Sequence, residues 1–396
     1  MCGARPRSAP LDEIEALTLM AAPLVLPTSP DLDFLLAEVA EALQLTANQY
    51  ARASQHYSAV ADWLEGSGSS LARFQPQIYP QGSMALETTV RPISQEEYDL
   101  DLVCQMLSTG MTALQLYEAV YERLMSNANY ARMVEKKQRC IRLNYAHEFH
   151  LDIIPAEPDL MRGRQAIRVP DRSLHDWTPS NPKGYVAWFK LRSEMGVSEL
   201  RKAATLPGPT PAASKPVLAI VVQLIKRRRD VLFSQPHLAP RSVLLTTLAG
   251  EHYRGTDHVA TALYEIVLGI KRRIREAAPR RISVHNPTND GERFCESFTG
   301  PGRYEAFTQF IAQLERDAQL LLNTQGINAL QQLLFLLFGS EPVAKAVRCY
   351  GELLKARRDG GTLKYTGARS GGLAIVPGAQ GASRSVPSHR YFGGKG

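Results

Sequence analysis

The chain has 396 residues, 44% of them hydrophobic, and 46 Lys and Arg against 39 Asp and Glu, a formal net charge of +7. This is an ordinary balance for a soluble globular protein, long enough for two packed units or one two-lobed one, and its mild basic excess suits an anionic ligand. Five widely spaced cysteines without a CxxC pair argue against a disulfide framework or a zinc ribbon and for a reducing cytosol, and the longest apolar runs, VLAIVVQLI and ALQQLLFLLF, fall far short of the roughly 20 residues of a membrane span.

Residues 1–28 read as an N-terminal extension. LTLMAAPLVLP has the apolar character of a signal-peptide core, but Asp12, Glu13 and Glu15 stand where a positive region belongs. Met20 is an alternative start. From Ser29 to Gly66 the sequence reads as one long helix. Ser29 suits the N-cap, Pro30 the first helical position, and Asp31 and Asp33 the positive helix end. No Gly or Pro interrupts it. At 1.5 Å per residue it would run roughly 50 Å, enough to span more than one lobe.

A β-rich region follows. RFQPQIYPQGS leads into the strand YDLDLVCQM. Side chains alternate along a strand, so Tyr98, Leu100 and Leu102 point one way while Asp99 and Asp101 point the other. TALQLYEAVYERLMSNANY has the spacing of an amphipathic helix. QRCIRLNYAHEFHLDIIPAEP reads as a hairpin turning near Ala146 to Glu148. In its second arm His150, Asp152 and Ile154 share the face opposite Phe149, Leu151 and Ile153. Cys104 and Cys140 read as buried core thiols, His147 and His150 as a turn histidine and a partly buried one, and Trp177 and Trp188 as packing residues.

From about residue 183 the chain reads as mostly helical, through KGYVAWFKLRSEM, SKPVLAIVVQLIKRRRDVLF, SVLLTTLAGEHY, VATALYEIVLGIKRRIREAA, YEAFTQFIAQLERDAQLLLN, INALQQLLFLLF and PVAKAVRCYGELLKARR. Two basic runs, Lys226 to Arg229 and Lys271 to Arg275, wrap several helix faces, so at least part of each is expected in solvent. The second reads as a solvated helix end whose cations complement the C-terminal dipole. After Gly360 the composition shifts to Gly, Ser, Arg and Pro with no acidic residue, which reads as a disordered basic tail.

The chemistry concentrates in three places. Two carboxylates side by side repel, and one resists ionising unless something positive sits between them. The usual positive object is a divalent metal held by oxygen ligands. Gly82 and Ser83 follow a short strand and should open a turn or helix N-terminus. Backbone N–H groups and a serine hydroxyl there can hold phosphate oxygens, and the glycine lets phosphate approach the backbone. Asp152 follows on a later strand, expected beside the first. Three carboxylates near a phosphate pocket are what two-metal phosphoryl transfer requires: one ion lowers the pKa of an attacking hydroxyl, the other neutralises the triphosphate and leaving pyrophosphate. Asp99 and Asp101 would bind both ions. Asp152 would complete the hydroxyl-activating site and help take its proton. Each piece alone has an ordinary reading as a turn, an edge-strand device or a backbone-bonded aspartate. Their order is what makes the set specific.

QGS, then EYDLDL, then FHLDIIP resembles the polymerase-β-like nucleotidyltransferase pattern. More narrowly, the chain resembles the cyclic GMP-AMP synthase/DncV-like nucleotidyltransferases (CD-NTases) of bacterial anti-phage CBASS systems, over roughly residues 29–355. DWTPSNPKGYVAWF resembles that family's passage between lobes, LAIVVQLIKRRRD and APRSVLLTTLAGEHY its nucleotide-facing helices, and VHNPTNDGERFCESF a segment near the base pocket. The resemblance implies an α+β, bilobed fold: a catalytic lobe with a mixed β-sheet, a helical C-terminal lobe, and a long N-terminal helix bracing both. The expected division is an extension at 1–28, the long helix and catalytic core at 29–182, the helical lobe at 183–358 and the tail at 359–396.

It further implies catalytic, metal-binding roles for Asp99, Asp101 and Asp152, and nucleotide-binding roles for Gln81, Gly82, Ser83, Lys226 and Ser242. The cofactor would be two Mg2+ ions, with Mn2+ as an alternative. The substrates would be nucleoside triphosphates, ATP and/or GTP foremost with pyrimidines left open. They would be joined through a linear intermediate into a cyclic di- or trinucleotide that activates a separate effector, in the cytoplasm and away from membranes. The competing readings are a template-independent enzyme making linear products, as an oligoadenylate synthase or RNA-tailing enzyme does, and an inactive nucleotide-binding scaffold. Three intact aspartates speak against the scaffold. The Gly-rich end SVPSHRYFGGKG, with Tyr391, Phe392 and terminal Gly396, fits relatives joined through their C-terminus to other molecules by a ubiquitin-transfer-like partner. A plain tail is the other reading.

Overall fold

The computed structural model describes residues 30–360, apart from 67, 94–96, 108, 147 and 196–214, together with short strands at 364–366, 373–374 and 383–385. The expectations for residues 1–28, Met20, His147, Tyr391, Phe392 and Gly396 lie outside the described residues.

Two helices stand where one long helix was expected: α1 (Pro30–Ala42) and α2 (Ala47–Glu65). The break is made by Thr46. Its hydroxyl accepts from Gln49 N at 3.2 Å, while Gln49 Oε1 accepts from Thr46 N at 3.0 Å. This reciprocal capping box starts a new helix without any Gly or Pro. The joint lets each half serve a different core. Leu32, Leu35, Leu36 and Val39 of α1 pack into a helical core, whereas Ala53, Tyr57, Val60 and Leu64 of α2 pack into the core under the sheet. The bracing is therefore done by a jointed pair.

The sheet contains β1 (Gln77–Gln81), β2 (Tyr98–Gln105), β3 (Val134–Lys136), β4 (Ile141–Tyr145) and β5 (Phe149–Pro158), in the order β1-β2-β5-β4-β3. Between β1 and β2 lies the one-turn helix α3 (Gly82–Ala85); after β2 comes α4 (Ala113–Met125). Strand β2 runs parallel to β5, and the other neighbours are antiparallel. A parallel pair needs a long crossover, which α4 and the β3–β4 hairpin supply. Tyr98, Leu100, Leu102, Phe149, Leu151 and Ile153 all face the core together with Leu116, Tyr117, Val120 and Leu124 of α4. A one-residue slip of β2 would bury its aspartates and expose its leucines, so this apolar face pins the register. The far end of β5 pairs with β6 (Ile167–Asp171), which pairs with β7 (Asp176–Ser180).

The helical lobe is built from α5 (Pro182–Ser193), α6 (Val217–Leu232), α7 (Ser242–His252), α8 (Val259–Ala277), α9 (Arg303–Asn323), α10 (Ile327–Phe338) and α11 (Ser340–Asp359), with a small hairpin, β8 (His285–Asn286) and β9 (Asn289–Arg293). Helix α6 is buried continuously from Leu218 to Arg228, as a central helix must be. Its basic run is correspondingly not a solvated end. Arg228 pairs with Asp317 at 2.7 Å, and Arg227 Nε donates to Phe338 O at 2.9 Å. The second run does sit at the surface: Lys271, Arg272 and Arg273 pair with Glu315, Glu276 and Glu251.

The loop after α3 ties the lobes together. Lys226 Nζ donates to Thr88 O and Oγ1, both at 3.0 Å, Gln223 Nε2 to Thr89 O at 2.7 Å, and Arg91 pairs with Glu341 at 3.0 Å. In the basic tail, β10 (Lys364–Thr366), β11 (Leu373–Ala374) and β12 (Ser383–Ser385) pair in the order β11-β10-β12, where composition had pointed to disorder. Tyr365 and Thr366 are good strand formers, which the Gly-rich average conceals. No helix among the described residues is long and apolar enough to cross a membrane.

Candidate active site

Where the sheet meets the helical lobe there is a cavity of about 1260 Å³. All eight residues singled out in the sequence line it: Gln81, Gly82, Ser83, Asp99, Asp101, Asp152, Lys226 and Ser242. The strand register does most of the assembly. Parallel pairing sets Asp101 directly beside Asp152 and Asp99 beside His150, while Gln81 lies opposite Asp101 on the other flank.

Gly82 enters α3 with φ +62, and a Cβ there would collide with Asp101 Oδ2. Glycine is thus required twice, for a left-handed backbone and for close approach to a carboxylate. Ser83 is fixed by the loop that follows it: Thr88 N donates to Ser83 O at 2.9 Å, and Thr89 Oγ1 to Ser83 Oγ at 3.3 Å. The same Thr88 anchors Lys226, so the turn and the lysine move as one piece. Ser242 opens α7. Its hydroxyl accepts from Arg229 Nη1 at 2.8 Å, one helical turn from Lys226.

The electrostatics are unusual. Burial, then the charges of Asp152 and Asp99, push the Asp101 carboxyl up to about 7. Burial, helped by Arg229 and opposed by Asp230 and Asp101, lowers Lys226 to about 7. Asp152 is instead clamped by Arg142, whose Nε reaches Oδ1 at 2.7 Å and whose Nη2 reaches Oδ2 at 2.8 Å. The same Nη2 reaches Asp99 Oδ1 at 3.0 Å. The bonds to Asp152 hold the guanidinium above its usual range. His150 lies between Asp99 Oδ1 at 3.3 Å and Glu97 Oε2 at 2.5 Å.

Chemically, the three aspartates are hard oxygen donors suited to a Mg2+-class ion. Asp101 fits that reading best: it is partly exposed to the cavity and stands beside the like charges of Asp152 and Asp99. As arranged, however, no three His, Cys, Asp or Glu side chains among the described residues converge closely enough to hold an ion. Arg142 takes up Asp152 and Asp99. The residue types fit a cation; the arrangement requires Arg142 to let go.

Sequence reasoning missed Arg142, although its signal was present as a charged residue alternating with Ile141 and Leu143 on the Asp152 face. It also left Asn286 without a role. Asn286 Nδ2 donates to Glu292 Oε2 at 2.7 Å, and Glu292 also accepts from Ser180 Oγ at 2.9 Å and Asn181 N at 3.2 Å, forming part of the cavity wall. Cys140 is not a core thiol: it is half-buried and lines the cavity near Asp152. Cys104 is buried as expected. Trp188 packs against Gly250, and Arg168 stacks on Trp177 at 4.4 Å.

Residues 33–192 match the family described as the Second Messenger Oligonucleotide or Dinucleotide Synthetase domain. A Roseivirga ehrenbergii protein named c-di-GMP synthase is 33% identical over 334 residues, covering 82% of this chain and 89% of that protein. The cyclic dinucleotide synthase CdnG of Bradyrhizobium diazoefficiens is 28% identical over 396 residues, covering 91% and 93%. The structure of that CD-NTase in complex with GTP superposes with a TM-score of 0.65 at 26% identity, covering 81% of this chain and 99% of the other.

Proposed function

The chain belongs to the Second Messenger Oligonucleotide or Dinucleotide Synthetase family of CD-NTase nucleotidyltransferases, and on that footing we propose that it converts two GTP into cyclic di-GMP with release of pyrophosphate. Enzymes of this family synthesise cyclic oligonucleotides and use divalent metal ions. The observation that carries the proposal is the β2–β5 register, which sets Asp101 beside Asp152 directly behind the Gly82–Ser83 turn. Guanine is taken from the names of the relatives.

Asp99, Asp101 and Asp152 would hold two Mg2+ ions, or Mn2+ in their place. Such ions, when bound, activate an attacking hydroxyl and neutralise charge on the triphosphate. The backbone of Gly82 and Ser83 would cradle phosphate oxygens, with Lys226 and Ser242 closing over them from the helical lobe. Asp152 would take the proton of the attacking hydroxyl. The cavity exceeds the roughly 300–1,000 Å³ of a pocket for one small ligand, which suits a donor and an acceptor nucleotide together. In this reading residues 29–182 form the catalytic unit and 183–358 the helical one. The enzyme works in the cytoplasm, and its product switches on a separate anti-phage effector.

The test is to supply GTP, ATP, CTP and UTP singly and in pairs with Mg2+, then phosphatase, and weigh the surviving product. GTP alone is expected to give a phosphatase-resistant species with the mass of cyclic di-GMP. A product that needs a second base would correct the guanine assignment. A phosphatase-sensitive linear ladder would overturn cyclisation.

A further inference from the structure

We propose that Arg142 is a built-in counter-cation for the aspartate cluster, a positioning residue that makes cation binding depend on triphosphate binding. This rests on the reading of Asp99, Asp101 and Asp152 as the ion-binding set.

The geometry is specific. Arg142 lies directly across from Asp152 in the β4–β5 register. Its Nε and Nη2 engage both oxygens of Asp152, at 2.7 and 2.8 Å, and Nη2 also reaches Asp99 at 3.0 Å. The strand that carries it is fixed by buried Ile141 and Leu143 on the opposite face. The guanidinium side chain is only 19% exposed, and that of Asp152 11%, so solvent screens the pair little. A cation that needs Asp152 and Asp99 must compete for the same oxygens and approach a fixed positive charge. The bare site should therefore take up divalent ions poorly.

A triphosphate changes the balance. Arg142 lines the same cavity as Lys226, Arg229 and the Gly82–Ser83 turn. Phosphate oxygens match the planar guanidinium fork as well as a carboxylate does. Once they are within reach, Arg142 has an alternative acceptor and Asp152 is released. Nucleotide and cation then help each other, and by linkage each must improve the other's affinity by the same factor. The ion enters with the nucleotide, which guards the aspartate cluster from adventitious loading.

The test is Mn2+ binding to the full chain at pH 8, read from the free-ion electron paramagnetic resonance signal, without nucleotide. Arg142→Gln is expected to bind Mn2+ at least tenfold more tightly than the wild type. Arg142→Lys, which keeps the charge but loses the fork, should fall between them and serves if the glutamine variant does not fold. In the wild type, Mn2+ and a non-hydrolysable GTP analogue together should raise the melting temperature by more than the sum of their separate shifts; in the variants that excess should shrink. Unchanged or weaker Mn2+ affinity in both variants, with Asp101→Ala abolishing binding, would overturn the role of Arg142. Mn2+ binding that survives Asp101→Ala would overturn the aspartate reading itself.

Discussion

Asp101 carries the main electrostatic strain of the site. Its folded pKa of about 7 stands above the ordinary 3.8, with burial as the leading cause. Between those values the folded protein holds a proton that the unfolded chain has released. This contribution to stability is therefore fully present below about pH 4 and is lost as pH rises through 7. Asp101→Asn removes that dependence. In melts with a chelator, the variant is expected to gain a few degrees over wild type at pH 8 and nothing at pH 4; equal melting temperatures at pH 8 would contradict this. Lys226 acts in the opposite sense over a higher window, since its folded pKa is lowered and stability is regained as pH rises above 7. Gly82 is the second sensitive residue. Gly82→Ala should cost ~1–2 kcal/mol for its left-handed backbone and also push Asp101 aside. Synthesis should fall by at least a hundredfold while the fold persists in circular dichroism, and a fully active variant would refute the close packing of turn and carboxylate.

At the scale of elements, what could be read from sequence depended on how local the signal was. Helix α10 matches its apolar run from Ile327 to Phe338 residue for residue, and the alternation in Tyr98–Leu102 and Phe149–Ile153 gave both strands and the face of all three aspartates. The jointed α1–α2 pair was local too: Thr46 and Gln49 have the spacing of a capping box, but the lack of Gly and Pro masked it. The partners of α6 could not be read at all. Arg228 meets Asp317 and Arg227 meets Phe338 O only because helices about a hundred residues further on return to α6. Arg142 was closer to hand: the β4–β5 hairpin sets it opposite Asp152, but its charge was not followed across that pairing. The α6 reading has a direct check. Asp317→Ala strands a buried guanidinium, and breaking such a pair costs roughly 3–5 kcal/mol. Urea unfolding should show a loss of that size. A loss below about 1 kcal/mol, as for a surface pair, would place Arg228 in solvent.

Across the whole molecule, the cavity owes its form to both lobes. The sheet supplies the carboxylates, and α6 and α7 supply Lys226, Arg229 and Ser242. The strand-to-helix loop at Thr88 and Thr89 fastens one set to the other. On α8, Lys271 and Arg273 are paired with Glu315 and Glu251, which narrows the open basic track a long RNA would need. Both features favour small triphosphates enclosed between the lobes. The most direct measurement is the yield of phosphatase-resistant product from labelled GTP and Mg2+, comparing wild type with Asp99→Ala/Asp101→Ala. Product from the wild type and none from a variant that still melts cooperatively is the expected result. Equal product from both would mean that the chemistry does not run on these aspartates.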